Sequence, residues 1–424
     1  MFWREKKLEH SSTANFVSNA NTTDNAGITK VTGIILQARK AQEASYILAG
    51  ASLELRNSAL TAIADGLEDE VYVIIKANAV DMENAQKSPM LDRLMLNKER
   101  IFDIAAAVRK IIELPDVLHV VDEEWQRPNG LKIAKKRVPF GLIGIIYEAR
   151  PNVTADAAAL CIKSGNSVML RGGSEAINSN KAIVQIMKKA LEKVGLPTEC
   201  IELVEDTSRE TATEMMKLNQ YIDVLIPRGG AGLISTVVNN ATIPVIQTGT
   251  GVCHTYIDES ADIQMALNIL INAKCSRPSV CNACETLLVH KSLEQSFLTQ
   301  ALAALEERGV KIVWGDYDVE FNDLIISVAV VEGLDEAIAH INKYGSKHSE
   351  CIVTSNDSNA HKFLQLVDAA AVYVNASTRF TDGFEFGFGA EIGISNQKLH
   401  ARGPMGLREL TTTKYIIVGE GQVR

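Results

Sequence analysis

The residues best suited to covalent chemistry lie between Ser276 and His290, where the sequence reads Ser-Arg-Pro-Ser-Val-Cys-Asn-Ala-Cys-Glu-Thr-Leu-Leu-Val-His. Cys281 follows a turn that contains Pro278 and precedes an apolar run, Leu287 to Val289, which predicts a strand. The pattern places the thiol in a loop at a sheet edge, where a nucleophile can meet a ligand. Arg277 could stabilise the thiolate, the reactive form of cysteine. A buried structural cysteine is the competing interpretation, because free cysteines are among the most buried residues.

A second cysteine makes a Cys281-x-x-Cys284 pair, which raises the alternatives of a zinc site and a redox dithiol. A structural zinc needs four ligands, and the sequence has no second Cys-x-x-Cys. Cys253 and His254 are adjacent, so on a strand they would point to opposite faces. The sequence therefore predicts no metal site.

Two glycine-rich turns follow predicted strands, one formed by Arg171, Gly172, Gly173 and Ser174 and the other running from Arg228 through Gly229 and Gly230 to Gly232. Neither turn has the Gly-x-Gly-x-x-Gly fingerprint, and the chain has no phosphate loop with Gly-Lys-Ser/Thr. Such turns can hold phosphate at a helix N-terminus, and the two guanidinium groups would suit a ribose 2′-phosphate. Plain strand-to-helix turns with solvated arginines remain the alternative.

Hydrophobic periodicity divides the rest of the chain into a helical part, a hairpin and two alternating parts. Residues 29–112 show helical spacing, including one run from Ala49 to Ile63. Residues 117–138 alternate around Arg127-Pro128-Asn129-Gly130, which predicts a β-hairpin arm for subunit contacts. Predicted strands alternate with predicted helices in both later parts, which favours parallel sheets in two α/β domains. The strands are predicted at 139–147, 167–170, 201–204, 224–227 and 245–247, and then at 287–290, 311–314, 325–331, 370–374 and 414–418.

Composition narrows the function classes. The 424 residues carry a formal net charge of −9, which argues against nucleic-acid or anionic-membrane partners. No apolar run approaches the roughly 18 residues that span a bilayer, and no secretory signal pattern is visible. The seven cysteines form no disulfide framework, so a cytoplasmic location is expected. Residues 1–28 are rich in Ser, Thr and Asn, which predicts a mobile leader.

Longer motifs carry a resemblance to a known family. Pro139-x-Gly-x-x-Gly, Gly165-Asn166-x-Val168 and Cys281-x-Ala283, in this order, resemble the aldehyde dehydrogenase superfamily. Within it the chain is similar to the gamma-glutamyl phosphate reductases through further segments, and the resemblance runs from about residue 31 to 420. These segments are Tyr147-Glu-Ala-Arg-Pro-Asn-Val, Gly251-Val-Cys-His, Arg277-Pro-Ser-x-Cys-Asn-Ala, Ala337-Ile-x-His340-Ile-x-x-Tyr344-Gly-Ser-x-His348-Ser-Glu, Asn375-Ala-Ser-Thr-Arg-Phe-Thr-Asp-Gly and Lys398-Leu-His-Ala-Arg-Gly-Pro-Met-Gly.

The resemblance implies an aldehyde-dehydrogenase-like α/β fold with two doubly wound domains and a β-hairpin oligomerisation arm. Residues 29–250 would form the NADP-binding domain, with the 117–138 arm inserted, and residues 251–375 the catalytic domain. Residues 376–424 would return to the cofactor domain and end in an oligomerisation strand. A homo-oligomer is expected, and contact with glutamate 5-kinase stays open.

The reaction implied by the resemblance is NADPH-dependent reduction of L-glutamyl 5-phosphate to L-glutamate 5-semialdehyde in proline biosynthesis. Cys281 would form a thioester, and its backbone N–H together with Asn152 would stabilise the oxyanion. The predicted substrate-binding residues are Arg150, Arg277, Arg379 and Thr381. The predicted cofactor-binding residues are Arg171, Gly172, Gly173, Ser174, Arg228, Gly229, Gly230 and Glu320.

One departure from the superfamily concerns the direction of the reaction. Oxidising aldehyde dehydrogenases carry a glutamate that activates water, and the corresponding residue here is Gln247, whose neutral amide cannot act as a base. This suits a reductase. The alternatives are a phosphate- or coenzyme-A-dependent semialdehyde dehydrogenase and an inactive nucleotide-binding scaffold.

Overall fold

The computed structural model describes residues 33–85, 91–148 and 150–424, so the predicted leader at 1–28 lies outside the described residues. The helices are α1 (Gly33–Ala49), α2 (Leu53–Asp69), α3 (Val71–Asn84), α4 (Leu91–Leu94), α5 (Lys98–Glu113), α6 (Pro151–Lys163), α7 (Ile177–Lys193), α8 (Arg209–Met215), α9 (Ala231–Asn240), α10 (Ile263–Cys275), α11 (Thr299–Glu306), α12 (Leu334–Tyr344) and α13 (Asp357–Leu366). The strands are β1 (Val121–Gln126), β2 (Lys132–Pro139), β3 (Leu142–Tyr147), β4 (Ser167–Arg171), β5 (Ile201–Leu203), β6 (Val224–Arg228), β7 (Cys253–Ile257), β8 (Cys284–His290), β9 (Lys311–Val313), β10 (Ile325–Val331), β11 (Ser349–Val353), β12 (Ala371–Val374), β13 (Ile394–Ser395), β14 (Gly403–Pro404) and β15 (Thr411–Val418).

The first parallel sheet has the strand order β5-β4-β3-β6. Every residue of β3 is buried, which explains its unbroken apolar run. Ile143 and Ile145 pack in one core cluster with α2, α5, α6 and α7, whereas Leu142 and Ile146 pack in another with α1 and α8. Helices therefore cover both faces, and the predicted doubly wound α/β architecture is confirmed.

The second parallel sheet has the order β12-β11-β7-β8-β10-β9. Helices α10 and α11 share a buried cluster with one face of this sheet, and α12 and α13 share another with the opposite face. Cys253 of β7 pairs with Cys284 of β8, so the amino ends of these two strands lie side by side. The loops that precede β7 and β8 consequently meet at this edge, and one of them carries Cys281.

A separate antiparallel sheet has the order β1-β2-β15. The β1–β2 turn is closed by a hydrogen bond from Gly130 N–H to the Arg127 carbonyl (2.9 Å), and Gly130 has a φ of +92°, a conformation that favours glycine. Strand β15 pairs with the whole of β2, from Thr411 opposite Pro139 to Val418 opposite Lys132. The hairpin and the C-terminal strand thus form one sheet, whose role in oligomerisation stays a prediction.

Several predicted elements differ from the structure. The predicted strand at 245–247 is wrong, since Val245 forms only a single bridge with Leu225. The run from Ala49 to Ile63 is divided between α1 and α2, because Ser52 caps α2 with a hydrogen bond from Leu55 N–H (3.2 Å). Strands β7 and β11 were not predicted at all, although they lie inside the second sheet. The domain boundaries at 250 and 375 stay predictions.

No helix in the described part of the chain is long and apolar enough to cross a membrane. The same residues contain no group of three or more His, Cys, Asp and Glu side chains arranged to hold a metal ion.

A buried ion pair joins α10 to β8, and its removal should destabilise the fold. Lys274 Nζ lies 2.7 Å from Glu285 Oε2, and both side chains are fully buried. Lys274→Met would leave an unpaired carboxyl group in the core, with an expected loss of about 3–5 kcal/mol in the free energy of unfolding. Urea-induced unfolding would measure the loss.

The exposed pair of Lys291 and Glu332 provides a matched control, because its distance is also 2.7 Å but both side chains are largely solvated. Lys291→Met should lower the free energy of unfolding by less than about 1 kcal/mol. Equal losses in the two variants would contradict the importance of burial here.

Candidate active site

Cys281 lies in the loop between α10 and β8, where its backbone touches Gly251 directly. A Cβ atom at position 251 would overlap the carbonyl oxygen and the Cα of Cys281, so only glycine fits there. The Cys253 thiol donates a hydrogen bond to the same Cys281 carbonyl, with an Sγ-to-oxygen distance of 3.2 Å. These contacts fix the backbone of Cys281 against the segment that precedes β7.

Glu320 supports this arrangement from the other side. Its carboxylate accepts a hydrogen bond from the N–H of Gly251 at 2.7 Å. Its negative charge also acts on the Cys281 thiol. The predicted cofactor-binding residue Glu320 therefore lies close to the nucleophile, and its contact with ribose stays a prediction.

The Cys281 thiol is half-buried, in contrast to the fully buried Cys253 and Cys284. Burial raises the pKa of Cys281 to about 11, while the charge of Arg228 lowers it and the carboxylates of Glu320 and Glu391 raise it. Because this pKa lies far above neutrality, the thiol is protonated at neutral pH in the state described. Additional positive charge or removal of a proton is needed to form the thiolate.

Arg228 ends β6 and interacts electrostatically with both Cys281 and Glu391. Burial lowers the pKa of its guanidinium group, whereas the charges of Glu391 and Cys281 raise it. Gly393 has a φ of +152°, and a Cβ at that position would overlap the Arg228 guanidinium. Arg228, which the sequence assigned to the cofactor, is thus placed beside the nucleophile.

Two further arginines act electrostatically on Cys281. Arg379 is half-buried and donates hydrogen bonds to the Asn282 side chain and to Ser276 Oγ, the latter at 3.2 Å. Arg150 directly precedes α6, and its charge is attracted by the thiolate form of Cys281. Together with Arg228, three guanidinium groups from three chain segments converge on the thiol.

The two other predicted substrate residues are placed differently. Arg277 is exposed, and its charge acts on Arg379. Thr381 is fully buried, and its hydroxyl group hydrogen-bonds to Ser349 Oγ (2.6 Å) and Tyr373 OH (2.7 Å). Its backbone carbonyl accepts a hydrogen bond from Asn282 Nδ2 (2.9 Å), so Thr381 supports the Cys281 loop through Asn282.

Asn152 lies in the first turn of α6 and is half-buried. One N–H of its side-chain amide donates to Asp156 Oδ2 at 3.1 Å. Since an amide group carries a second N–H, Asn152 retains a donor for an oxyanion.

The predicted cofactor-binding turns lie at the carboxyl ends of β4 and β6. Arg171 donates to the backbone carbonyls of Thr207 (2.5 Å) and Ser208 (3.3 Å), while its buried Nε has no partner among the described residues. Gly172 is packed against Asn180 and Tyr147. Gly173 and Ser174 continue this turn into a short 3₁₀ helix before α7.

At the second turn, the N–H of Gly230 donates to the carboxylate of Glu148 at 2.8 Å. A Cβ at the neighbouring Gly229 would overlap that carboxylate. An anion therefore already contacts the glycine turn that begins α9, which is what a helix N-terminus favours.

Sequence reasoning missed Glu391, Asp156 and Glu148. The Glu391 carboxylate accepts a hydrogen bond from the Gly383 N–H at 2.9 Å. It also interacts electrostatically with Arg228, although more than 150 residues separate Glu391 from Arg228 in the sequence. No local motif marks these carboxylates, so only the folded arrangement identifies them.

Comparisons with known proteins agree with this architecture. The aldehyde dehydrogenase family model matches residues 6–315. Gamma-glutamyl phosphate reductases from Clostridium perfringens strain SM101 and Caldicellulosiruptor saccharolyticus are each 58% identical to the chain, covering 92% of it and 99% of the relative. The crystal structure of the Thermotoga maritima gamma-glutamyl phosphate reductase has a TM-score of 0.91 at 47% identity, covering 93% of this chain and 100% of that one. An acetylating aldehyde dehydrogenase from Geobacillus thermoglucosidasius shares the fold, with a TM-score of 0.67 at 17% identity over 92% of this chain and 97% of that one.

The contact between Gly251 and Cys281 generates a prediction. In Gly251→Ala the new methyl group would displace the Cys281 backbone, and turnover should fall about 100-fold, as expected for a misplaced reacting group. Gly232→Ala is the control, because nothing lies within 4 Å of a Cβ there and alanine favours helix α9. Steady-state kinetics and thermal unfolding would compare them, and full activity in Gly251→Ala would contradict the contact.

The charge of Arg228 predicts the pH dependence of Cys281 labelling. Since the pKa of Cys281 is raised to about 11, iodoacetamide labelling should accelerate with each pH unit above neutrality. Arg228→Gln removes the charge that lowers this pKa, so labelling at pH 8 should slow by about threefold to tenfold. Mass spectrometry of the Cys281 peptide would follow the rate.

Arg277→Gln removes the same charge from an exposed side chain and should change the rate much less. Unchanged or faster labelling in Arg228→Gln would show that Arg228 does not stabilise the thiolate.

Proposed function

The chain belongs to the aldehyde dehydrogenase family, whose enzymes are oxidoreductases that use a nicotinamide cofactor, and we propose that it reduces L-glutamyl 5-phosphate to L-glutamate 5-semialdehyde with NADPH. The reaction would be the second step of proline biosynthesis from glutamate. The observation that carries the proposal is the half-buried Cys281 thiol, on which the charges of Arg150, Arg228 and Arg379 converge.

An acyl phosphate suits this arrangement because it brings both an activated carbonyl group and a multiply charged anion. In the proposed reaction the thiolate of Cys281 attacks the acyl carbon. The bond from that carbon to the phosphate oxygen then breaks, phosphate leaves with the electron pair, and a thioester remains on Cys281. Guanidinium groups stabilise the phosphate as it leaves, and Arg150 and Arg228 are the candidates for this role.

The tetrahedral intermediates carry an oxyanion that needs donors. The backbone N–H of Cys281 and the second N–H of the Asn152 amide are the proposed pair. Asp156 orients Asn152 through the 3.1 Å hydrogen bond, which fixes the direction of the remaining N–H.

The residues at the carboxyl ends of β4 and β6 fit a dinucleotide. The buried Nε of Arg171 lacks a partner among the described residues, and the Gly230 N–H holds a carboxylate oxygen, the same type of acceptor that a phosphate presents. The residues proposed to hold NADP are Arg171, Gly172, Gly173, Ser174, Gly229 and Gly230. Glu320 is a further candidate for contact with the ribose. Glu148 would have to yield its place to a phosphate. Bound NADPH supplies the hydride that reduces the thioester.

Hydrolysis of the thioester is disfavoured in this proposal because Gln247 stands at the position of the superfamily's water-activating glutamate. Gln247 is neutral, and its backbone N–H donates to Gln397 Oε1 at 3.0 Å. Glu320 and Glu391 each accept a hydrogen bond from a backbone N–H, at 2.7 Å and 2.9 Å. The thioester is therefore reserved for hydride transfer and for exchange with phosphate.

The β1-β2-β15 sheet is the proposed oligomerisation arm. Two observations support it. The rings of Trp125 and Tyr415 pack edge to face with their centroids 6.1 Å apart, and the side chains of Tyr415, Ile417 and Val418 are exposed. Apolar side chains on the surface of a sheet are typical of a face that another subunit covers. A cytoplasmic location and a contact with glutamate 5-kinase belong to the same proposal.

The reaction is best tested backwards, because the acyl phosphate is unstable. Purified protein receives glutamate semialdehyde and NADP⁺ or NAD⁺, with or without inorganic phosphate, and absorbance of the reduced nucleotide is followed. We expect formation of NADPH that depends on phosphate and falls to background in Cys281→Ala.

Each other result has a defined meaning. Dependence on coenzyme A instead of phosphate would favour a coenzyme-A-linked dehydrogenase. Activity without phosphate would mean that water resolves the thioester. Equal rates with NAD⁺ would overturn the preference for NADP, and inactivity in every mixture would overturn the proposed function.

A further inference from the structure

A cavity of about 280 Å³ lies between the N-terminal turn of α6 and helices α4 and α5. The polar residues that line it are Arg93, Arg100, Asp103, Asn152 and Asp156, so the lining carries both positive and negative charges. Met95, Leu96, Ile104 and Ala107 supply the apolar part of the wall. A small ligand with separate positive and negative groups is the chemistry that this lining fits.

The cavity is connected electrostatically with Cys281 on two sides. Asp156, one of its lining residues, interacts electrostatically with Arg228, which acts on Cys281. Arg93 repels Arg150, which also acts on Cys281. Asn152 also lines the cavity, so a molecule whose reacting carbon lies between Cys281 and this proposed oxyanion donor would extend its distal end into the cavity.

Among the described residues, neither carboxylate of the cavity forms an ion pair, and Asp156 is the more buried of the two whereas Asp103 is exposed. Asp156 is half-buried, and its one hydrogen-bond donor among the described residues is the neutral amide of Asn152 at 3.1 Å. Burial raises the pKa of Asp156 to about 6, while Asn152 and the charge of Arg228 lower it. A ligand ammonium group would supply the positive charge that this carboxylate is missing.

Arg93 and Arg100 have different surroundings. Arg100 is held by the Asp92 carboxylate at 2.8 Å and by the Met95 carbonyl at 3.0 Å. For the Arg93 guanidinium, the described residues provide neither an ion pair nor a hydrogen bond, and its side chain is exposed. Within the described part of the chain, Arg93 is the arginine of this cavity whose guanidinium group is available for a ligand carboxylate.

We propose that this cavity is the subsite for the α-amino-acid group of the substrate, with Asp156 binding the α-ammonium and Arg93 the α-carboxylate. The inference rests on the proposed function for the position of the acyl carbon at Cys281. It assigns substrate specificity to residues outside the motifs that surround the cysteine. Because Asp156 also holds Asn152, the ammonium group would be bound next to the proposed oxyanion donor.

Three small carboxylates test the subsite without turnover. L-Glutamate carries both distal groups, glutarate lacks the ammonium, and 4-aminobutanoate lacks the α-carboxylate. Their dissociation constants would be measured from the protection of Cys281 against iodoacetamide. We expect the wild-type protein to bind L-glutamate about tenfold or more tightly than either analogue, as expected for a hydrogen bond between charged groups.

Two variants separate the two contacts. Asp156→Asn should weaken L-glutamate binding by about tenfold to hundredfold and leave glutarate binding unchanged. Arg93→Gln should weaken L-glutamate similarly and leave 4-aminobutanoate unchanged. Asp103→Asn removes a charge from the exposed rim of the same cavity and should change L-glutamate binding less than about fivefold.

The outcomes distinguish this inference from the proposed function. Equal affinities for L-glutamate and its analogues in the wild-type protein, or equal losses for L-glutamate and glutarate in Asp156→Asn, would overturn the subsite. The second result would indicate a general disturbance of the fold, which circular dichroism would detect, or a displaced Asn152, which would leave the circular dichroism spectrum unchanged. Selective binding of L-glutamate without phosphate-dependent turnover would instead support the subsite and overturn the proposed reaction.

Discussion

The site depends on one contact between backbones, the passage of Gly251 across Cys281. A side chain at position 251 would occupy the space of the Cys281 carbonyl, so the two loops can meet only because residue 251 is glycine. The Glu320 carboxylate accepts a hydrogen bond from the Gly251 N–H, and the Cys253 thiol donates one to the Cys281 carbonyl. Each side of the contact is therefore fixed by its own hydrogen bond. Since β7 and β8 are neighbours in the sheet, their rigid pairing carries this geometry into the core.

The electrostatics of the site follow from burial. Removing Cys281 from water raises its pKa, and Glu320 and Glu391 add to that increase, whereas Arg228 is the strongest influence that favours the thiolate and a backbone hydrogen bond adds to its effect. Glu391 partly neutralises Arg228, because its carboxylate raises the pKa of that guanidinium. A reaction that begins with a thiolate therefore benefits from a further change when substrate binds. A phosphate that engages Arg150 would relieve the repulsion between Arg150 and Arg228, which the unliganded site must tolerate.

Much of the fold could be predicted from the sequence because its strands are apolar and separated by periodic helices. The fully buried β3 and the loop before β8 were identified in this way. Strands β7 and β11 were missed because they contain His254 and Glu350, which are polar yet completely buried. The Glu350 carboxylate accepts a hydrogen bond from the backbone N–H of His254 at 2.7 Å, so this buried carboxylate is partly satisfied inside the sheet. Pairing across a sheet has no local signal, and for the same reason the proximity of Glu391 to Arg228 could not be predicted.

The position of Asp156 links recognition with chemistry in the proposed reaction. Asp156 and Asn152 are one helical turn apart in α6, and their 3.1 Å hydrogen bond orients the amide that would face the oxyanion. An ammonium group on Asp156 would keep that carboxylate ionised, and an ionised carboxylate is the stronger acceptor for the Asn152 amide. Binding energy from the distal end of the substrate would thus order a donor at the reacting end, which is how remote contacts increase the rate and not only the affinity. A substrate without the ammonium group would then react slowly even when bound, because Asn152 would be less firmly held.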